Sequence, residues 1–215
     1  MLKLKDISFS YQNNVEIFDK LNIEFEENKT YAIQGVSGSG KTTLLNIIAG
    51  LDDSYKGEII YQDQVIDKNK LQDYRKNRVS IIFQDNNLLN YLNIKDNIKQ
   101  GCLIKNKAFD EALFNEYLTQ FKLDNLNLNS YPSILSGGQQ QRVAIIRSLL
   151  SKTDIILADE PTASVDEVTA MKIIEELKEL SHNENKLVII VTHQKDIANK
   201  CDYVYHLQDY NLVLD

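Results

Sequence analysis

The sequence predicts an α/β fold built on a parallel sheet, with antiparallel strands at the N-terminus and a helical insertion in the middle. Three observations carry that prediction. Short apolar runs of strand length alternate with amphipathic helical patterns, as parallel α/β architecture requires. A glycine-rich stretch sits where one strand gives way to a helix. From about residue 86 to 135 the strand signal stops and a helical period replaces it.

The elements follow in order. Leu2, Leu4, Ile7 and Phe9, then Leu21, Ile23 and Phe25, alternate in the manner of half-buried strands. Thr30–Ile33 is a short strand that runs directly into the glycine-rich loop. Leu44, Leu45, Ile47 and Ile48 form a helix for which Gly50 is a natural stop. Glu58–Tyr61 and Val79–Phe83 read as further strands. Phe109, Ala112, Leu113, Tyr117 and Phe121 recur at helical spacing between Asn-rich connectors. Alternation then resumes with a helix from about Gly138 to Leu150 and a strand at Asp154–Ala158. An amphipathic helix marked by Val168, Met171, Ile174, Leu177 and Leu180 follows, then a buried strand at Leu187–Val191.

The 215 residues fit one domain, 1–215, with a core of about 1–85 and 141–215 and a helical subdomain of about 86–140. Hydrophobic residues make up 43% and charged residues 26%, enough for a core and unlike a disordered chain. Twenty-four basic against 31 acidic residues give a net charge of −7, which argues against nucleic acid as a partner. No apolar run approaches the 18 or so residues of a membrane span, and the charged start MLKLKDISFS lacks a signal peptide's apolar block. A cytoplasmic protein is expected, at a membrane only if a partner holds it there. Cys102 and Cys201 have no Cys or His at ligand spacing, so neither a disulfide framework nor a zinc site is expected.

The 8 glycines are concentrated: five fall at Gly35, Gly38, Gly40, Gly137 and Gly138. Residues 35–43 read GVSGSGKTT and fit G-x-x-x-x-G-K-[ST] between a strand and a helix, the context a P-loop requires. Gly35, Ser37, Gly38, Ser39 and Gly40 let backbone N–H groups curl around phosphate, and the following helix start adds positive potential. Lys41 then reaches the outer phosphates and the Thr42 hydroxyl is placed to ligand Mg²⁺, with Thr43 beside it. The apolar strand IILA ends in Asp159 and Glu160. Paired carboxylates there call for a cation and a proton to manage: Asp159 suits Mg²⁺, and Glu160 suits the base that polarises an attacking water. Further on, LSGGQ spans Leu135 to Gln139. Ser136 can cap a helix whose first turn, at Gly137 and Gly138, offers a second anion site.

With LSGGQ the sequence resembles the ATP-binding-cassette (ABC) ATPases, over essentially its whole length. The resemblance implies a P-loop NTPase core and ATP/ADP as the bound nucleotide. It further implies that Gln84 is the Q-loop glutamine touching metal and catalytic water. Ser164-Val165-Asp166 matches the D-loop, His193 the switch histidine at the γ-phosphate, and Tyr11, 24 residues before Gly35, the aromatic that stacks on adenine. Ser136, Gly137, Gly138 and Gln139 would then contact the ATP held by a second copy of the chain, in a head-to-tail dimer. His182 is assigned to stabilising a helix end, and His206 to packing.

SGSGKTTLLNIIAGLD and RVSIIFQDNNLL are similar to the short cassette ATPases of the lipoprotein-release, macrolide and bacteriocin or antimicrobial-peptide exporter group. That similarity implies a separate transmembrane permease, peripheral attachment at the inner face of a bacterial membrane, and no regulatory domain in the 22 residues after His193. It also implies a groove that receives a cytoplasmic helix of the permease. Gln84 and Asn86–Tyr91 are expected to line it, with Leu88, Leu89 and Tyr91 as anchors. The competing reading is a signalling ATPase of the cell-division type, acting through a membrane partner on cell-wall hydrolases. A DNA-repair or ribosome-associated type is disfavoured: Gly35 and Leu135 are too close for the long coiled coil of repair ATPases, ribosome-associated members usually carry two cassettes per chain, and the acidic balance counts against both.

Overall fold

The computed structural model describes residues 1–11 and 15–215. An antiparallel sheet comes first. β1 (Leu2–Ser10) pairs with β2 (Glu16–Phe25) on one side and β4 (Lys56–Tyr61) on the other, and β5 (Gln64–Val65) closes the edge. A six-stranded sheet carries the rest. It contains β3 (Lys29–Gln34), β6 (Val79–Ile82), β7 (Ile155–Asp159), β8 (Leu187–Val191), β9 (Tyr203–Gln208) and β10 (Asn211–Leu214), in the order β10-β9-β3-β8-β7-β6. All its pairings are parallel except the β9–β10 hairpin.

β7 and β8 read as unbroken apolar runs because both faces of this sheet are covered, and the two-residue period divides each strand between two cores. Ile155, Leu157, Leu187, Ile189 and Val191 pack into a cluster with β1, β2, β4 and α1 (Lys41–Ile48). Ile156, Ala158, Val188 and Ile190 pack into a second cluster with α3 (Ile94–Ile104), α4 (Glu111–Gln120), α5 (Gly137–Leu149) and α6 (Glu167–Glu184). The helical insertion thus shares a continuous apolar cluster with one face of the sheet. α2 (Leu71–Arg78) leads into the edge strand β6, and the short α7 (Lys195–Ala198) follows β8.

Three helices were not predicted from the sequence, the four-residue α7 among them. α2 carries only Leu71 and Tyr74 as buried residues among charges, so it has almost no apolar stripe to read. α3 does have one, at Ile94, Ile98 and Cys102, with Asn93 as its cap, but it lies inside the Asn-rich stretch read as connector. Among the described residues, no helix is long and apolar enough to cross a membrane, and Cys102 and Cys201 are buried and free.

Candidate functional site

The loops after β3, β6, β7 and β8 all leave the carboxyl edge of the parallel strands, where open α/β sheets bind ligands. Residues 35–40 connect β3 to α1. Gly40 holds φ at 103° as the helix cap, and a Cβ there would come 2.3 Å from Ile17 Cγ2, so only glycine fits. No side chain caps α1 and its first turn holds no acid, which leaves its N–H groups and positive end directed at the loop. Lys41 Nζ folds back to donate to the Gly35 and Val36 carbonyls, each at 2.9 Å. Ser39 Oγ is buried with no hydrogen-bond partner, and a phosphate oxygen would supply one.

Behind the loop, Thr42 Oγ1 donates to Asp159 Oδ2 at 2.8 Å. Burial pushes the Asp159 carboxyl up from the usual range; the Thr42 hydrogen bond opposes that shift, the Glu160 charge adds to it and Lys41 opposes it. A cation beside Asp159 would offset the burial cost. Glu160 sits at φ 47°, a left-handed backbone costly for a side-chain-bearing residue. Its N–H donates to the Val191 carbonyl at 2.9 Å. Glu160 Oε1 accepts from the His193 backbone N–H at 3.1 Å and lies 2.7 Å from His193 Nδ1. Glu160 Oε2 is buried and unpartnered. Leaving such an oxygen unsatisfied costs on the order of 1–3 kcal/mol or more, so a water there would be bound and oriented.

A cavity of about 350 Å³ brings together Tyr11, Ser37, Gly38, Gly40, Lys41, Thr42, Thr43, Gln84, Asp159 and Glu160. Tyr11 presents a half-exposed ring and its hydroxyl pairs with Thr43 Oγ1 at 2.6 Å. A larger cavity of about 750 Å³ lies alongside, walled by Gly35, Val36, Ser39, His193 and His206, but it lacks the carboxylate pair. Ser136, Gly137, Gly138 and Gln139 line neither cavity. Ser136 and Gln139 form a reciprocal capping box at the start of α5, and Gly137 and Gly138 face Ser164 and Val165. The first turn of α5 is therefore open to something other than this chain's own P-loop.

Three side chains that sequence reasoning missed tie these parts together. Gln141, fully buried on α5, accepts from the Ser164 N–H at 3.1 Å and reaches the Glu160 carbonyl at 3.4 Å. Arg147, also on α5, donates to the Asn86 and Asn87 carbonyls at 2.8 Å each, gripping the chain just after Gln84. Buried Asn97 holds Leu89 by both its N–H and its carbonyl. The only sequence signal was a polar residue at a core-facing helical position.

Other expectations change. Gln84 lines the small cavity instead of the groove by the insertion. Of the three proposed anchors, Leu89 lies in that groove, Leu88 packs on the core, and Tyr91 is 75% exposed outside it. His182 does lie in the last turn of α6, and its Nε2 also pairs with Asp202 Oδ2 at 2.9 Å, tying that helix end to the residue before β9. His206 walls the larger cavity and sits 3.6 Å from the Asp215 carboxylate, more than packing.

The strand order and the loop after β3 make this a P-loop NTPase fold. The profile described as ABC transporter matches residues 18–163, and the chain belongs to that family as an ATP-binding, ATP-hydrolysing subunit. It is similar to YclH, an ABC transporter ATP-binding protein of Bacillus subtilis, with 38% identity covering 94% of this chain and 91% of that protein. LolD, the ATP-binding protein of the lipoprotein-releasing system of Treponema denticola, is 38% identical over 94% of this chain and 92% of its own length. The dimeric cassette MJ0796 of Methanocaldococcus jannaschii, solved in a post-hydrolysis state with ADP and phosphate, matches with a TM-score of 0.89 and 32% identity. The match covers 100% of this chain and 98% of that one.

Proposed function

We propose that this ATPase works as a head-to-tail pair with Glu160 as general base and drives a separate membrane permease of an export or peptide-resistance system. The observation that carries the reading is the buried, unpartnered Glu160 Oε2 in the cavity that holds the P-loop. Glu160 Oε2 takes a proton from the attacking water, while His193 fixes the other oxygen. Lys41 exchanges its two loop carbonyls for phosphate oxygens, and Tyr11 offers its exposed ring to adenine.

The donor set fits Mg²⁺. Among the described residues no three His, Cys, Asp or Glu side chains cluster as metal ligands. Mg²⁺ in phosphate sites needs only one or two protein groups, the rest being water and phosphate. Thr42 and Asp159 would hold it, with Gln84 alongside. Bound there, it neutralises phosphate charge. The open first turn of α5, from Ser136 to Gln139, serves the nucleotide on a partner copy. Residues 86–140 act as the subdomain that meets the permease, through the groove containing Leu89, and so hold the chain at the cytoplasmic face of the membrane. Similarity to LolD supports the export-type assignment.

Glu160→Gln tests the assignment. Turnover should fall at least ~100-fold with ATP binding retained, consistent with general-base contributions, and the protein should accumulate as an ATP-bound dimer on size exclusion. Hydrolysis near the wild-type rate would remove Glu160 from the role.

A further inference from the structure

We propose that the groove between the helical insertion and the core accepts an acidic partner segment: a short permease helix presenting an apolar face flanked by carboxylates. This rests on reading that groove as the permease dock and adds the chemistry of what docks. The groove, about 610 Å³, runs between α2, β6, α3 and α5, and Gly101 lets α3 and α5 touch, since a Cβ there would lie 2.0 Å from the Arg147 carbonyl. Its walls include Arg75, Lys76, Lys105 and Arg147 and no aspartate or glutamate. On a chain of net charge −7, that is a local inversion of sign.

Among the described residues none of these four cations pairs with a carboxylate. Arg75 donates to the Gly50 carbonyl, Arg147 to those of Asn86 and Asn87, and Lys105 to those of Arg75, Lys76 and Val79. Neutral carbonyls satisfy hydrogen bonds but leave the charge standing. The crowding is felt: burial, then the charges of Arg75 and Lys107, push the Lys105 amine down to about 8. A concave site of one sign focuses its field on an incoming opposite charge and rejects a like one. Leu89 and Ile104, the latter 65% exposed, supply the apolar contact between the cations.

The test uses the full chain co-purified with its native permease, with retention measured at rising NaCl concentration. Leu89→Asp places a charge on the apolar floor and should release the permease. Lys76→Glu reverses a cation that makes no hydrogen bond among the described residues. It should weaken retention roughly tenfold and flatten the salt dependence, with an unchanged melting temperature. A reciprocal Glu→Lys change in the permease segment should restore retention. If Leu89→Asp leaves the permease bound, the dock is elsewhere and both readings fall. If Leu89→Asp releases it but Lys76→Glu binds as tightly as wild type, the dock stands and the acidic-partner proposal is overturned. Permease-independent binding to phosphatidylglycerol vesicles that Lys76→Glu abolishes would assign the cations to lipid and overturn it too.

Discussion

Tyr11 and Glu160 show how single residues in this pocket are held short of satisfaction. Each has polar contacts that fix it and one part left without a partner in the cavity. For Tyr11 the contact is the hydroxyl bond to Thr43 and an edge-on approach to Phe9, with ring centres 5.2 Å apart. The free surface is the face of the ring, on a residue that is 49% exposed. A residue so exposed contributes little to the core, so removing the ring should matter to ligand and not to fold. Tyr11→Ala should weaken adenine-nucleotide affinity about five-fold, the equivalent of ~1 kcal/mol of stacking, with the nucleotide-free melting temperature nearly unchanged. Tyr11→Phe, which keeps the ring, should bind close to wild type. Calorimetric titration and a melting curve separate the outcomes: a lowered melting point with unchanged affinity for the alanine variant would make Tyr11 a structural residue.

At the scale of elements, α5 has the widest reach. Its first turn carries the capping box, its middle carries Gln141 against the Glu160–Ser164 segment, and its last turn carries Arg147 against the chain after Gln84. Gln141→Leu keeps much of the volume but removes two hydrogen bonds, from the Ser164 N–H and to the Glu160 carbonyl, costing about 0.5–1.5 kcal/mol each. The expected result is a melting temperature lower by several degrees and a reduced kcat, with ATP affinity held within about twofold. Normal turnover in a fully folded variant would mean that α5 does not position Glu160. The same helix shows what was legible in the sequence and what was not. Gly35–Thr43, Asp159-Glu160 and LSGGQ are contiguous, and their chemistry is local backbone chemistry, so spacing along the chain announced them. Gln141 works through partners 19 and 23 residues away, and nothing in its neighbourhood distinguishes it from Gln139 or Gln140. Buried parallel strands such as Leu187–Val191 were readable because double-sided burial leaves a continuous apolar run. α2 was not, because two buried residues among charges make no period.

Across the whole molecule, chemistry sits at the carboxyl edge of the sheet, and a polar cluster ties down the amino edge. Asp202, just before β9, accepts from the Thr30 N–H and hydroxyl at 2.8 and 2.9 Å, and pairs with Lys178 and His182 of α6, each at 2.9 Å. One carboxylate thereby joins β3, the start of β9 and α6. Burial alone would raise its pKa; the Lys178, Thr30 and His182 contacts overcome that and hold it well below the usual carboxylate range. A depressed carboxylate contributes stability that is fully present above its unfolded value, near 3.9, and is lost as pH falls toward the folded one. With the side chain only 17% exposed, hydrogen bonds to a charged group are worth about 1.5–3 kcal/mol here. Asp202→Asn should therefore lower the melting temperature by roughly 3–12 °C at pH 7. The gap from wild type should stay constant down to about pH 4 and shrink below it. Because Thr30 lies near the start of β3, whose far end becomes the P-loop, ATP affinity at a temperature where both proteins are folded should not change. A melting difference independent of pH between 7 and 3 would show that the Asp202 charge does not hold this end of the molecule together, and an altered ATP affinity would show that the two edges of the sheet are coupled.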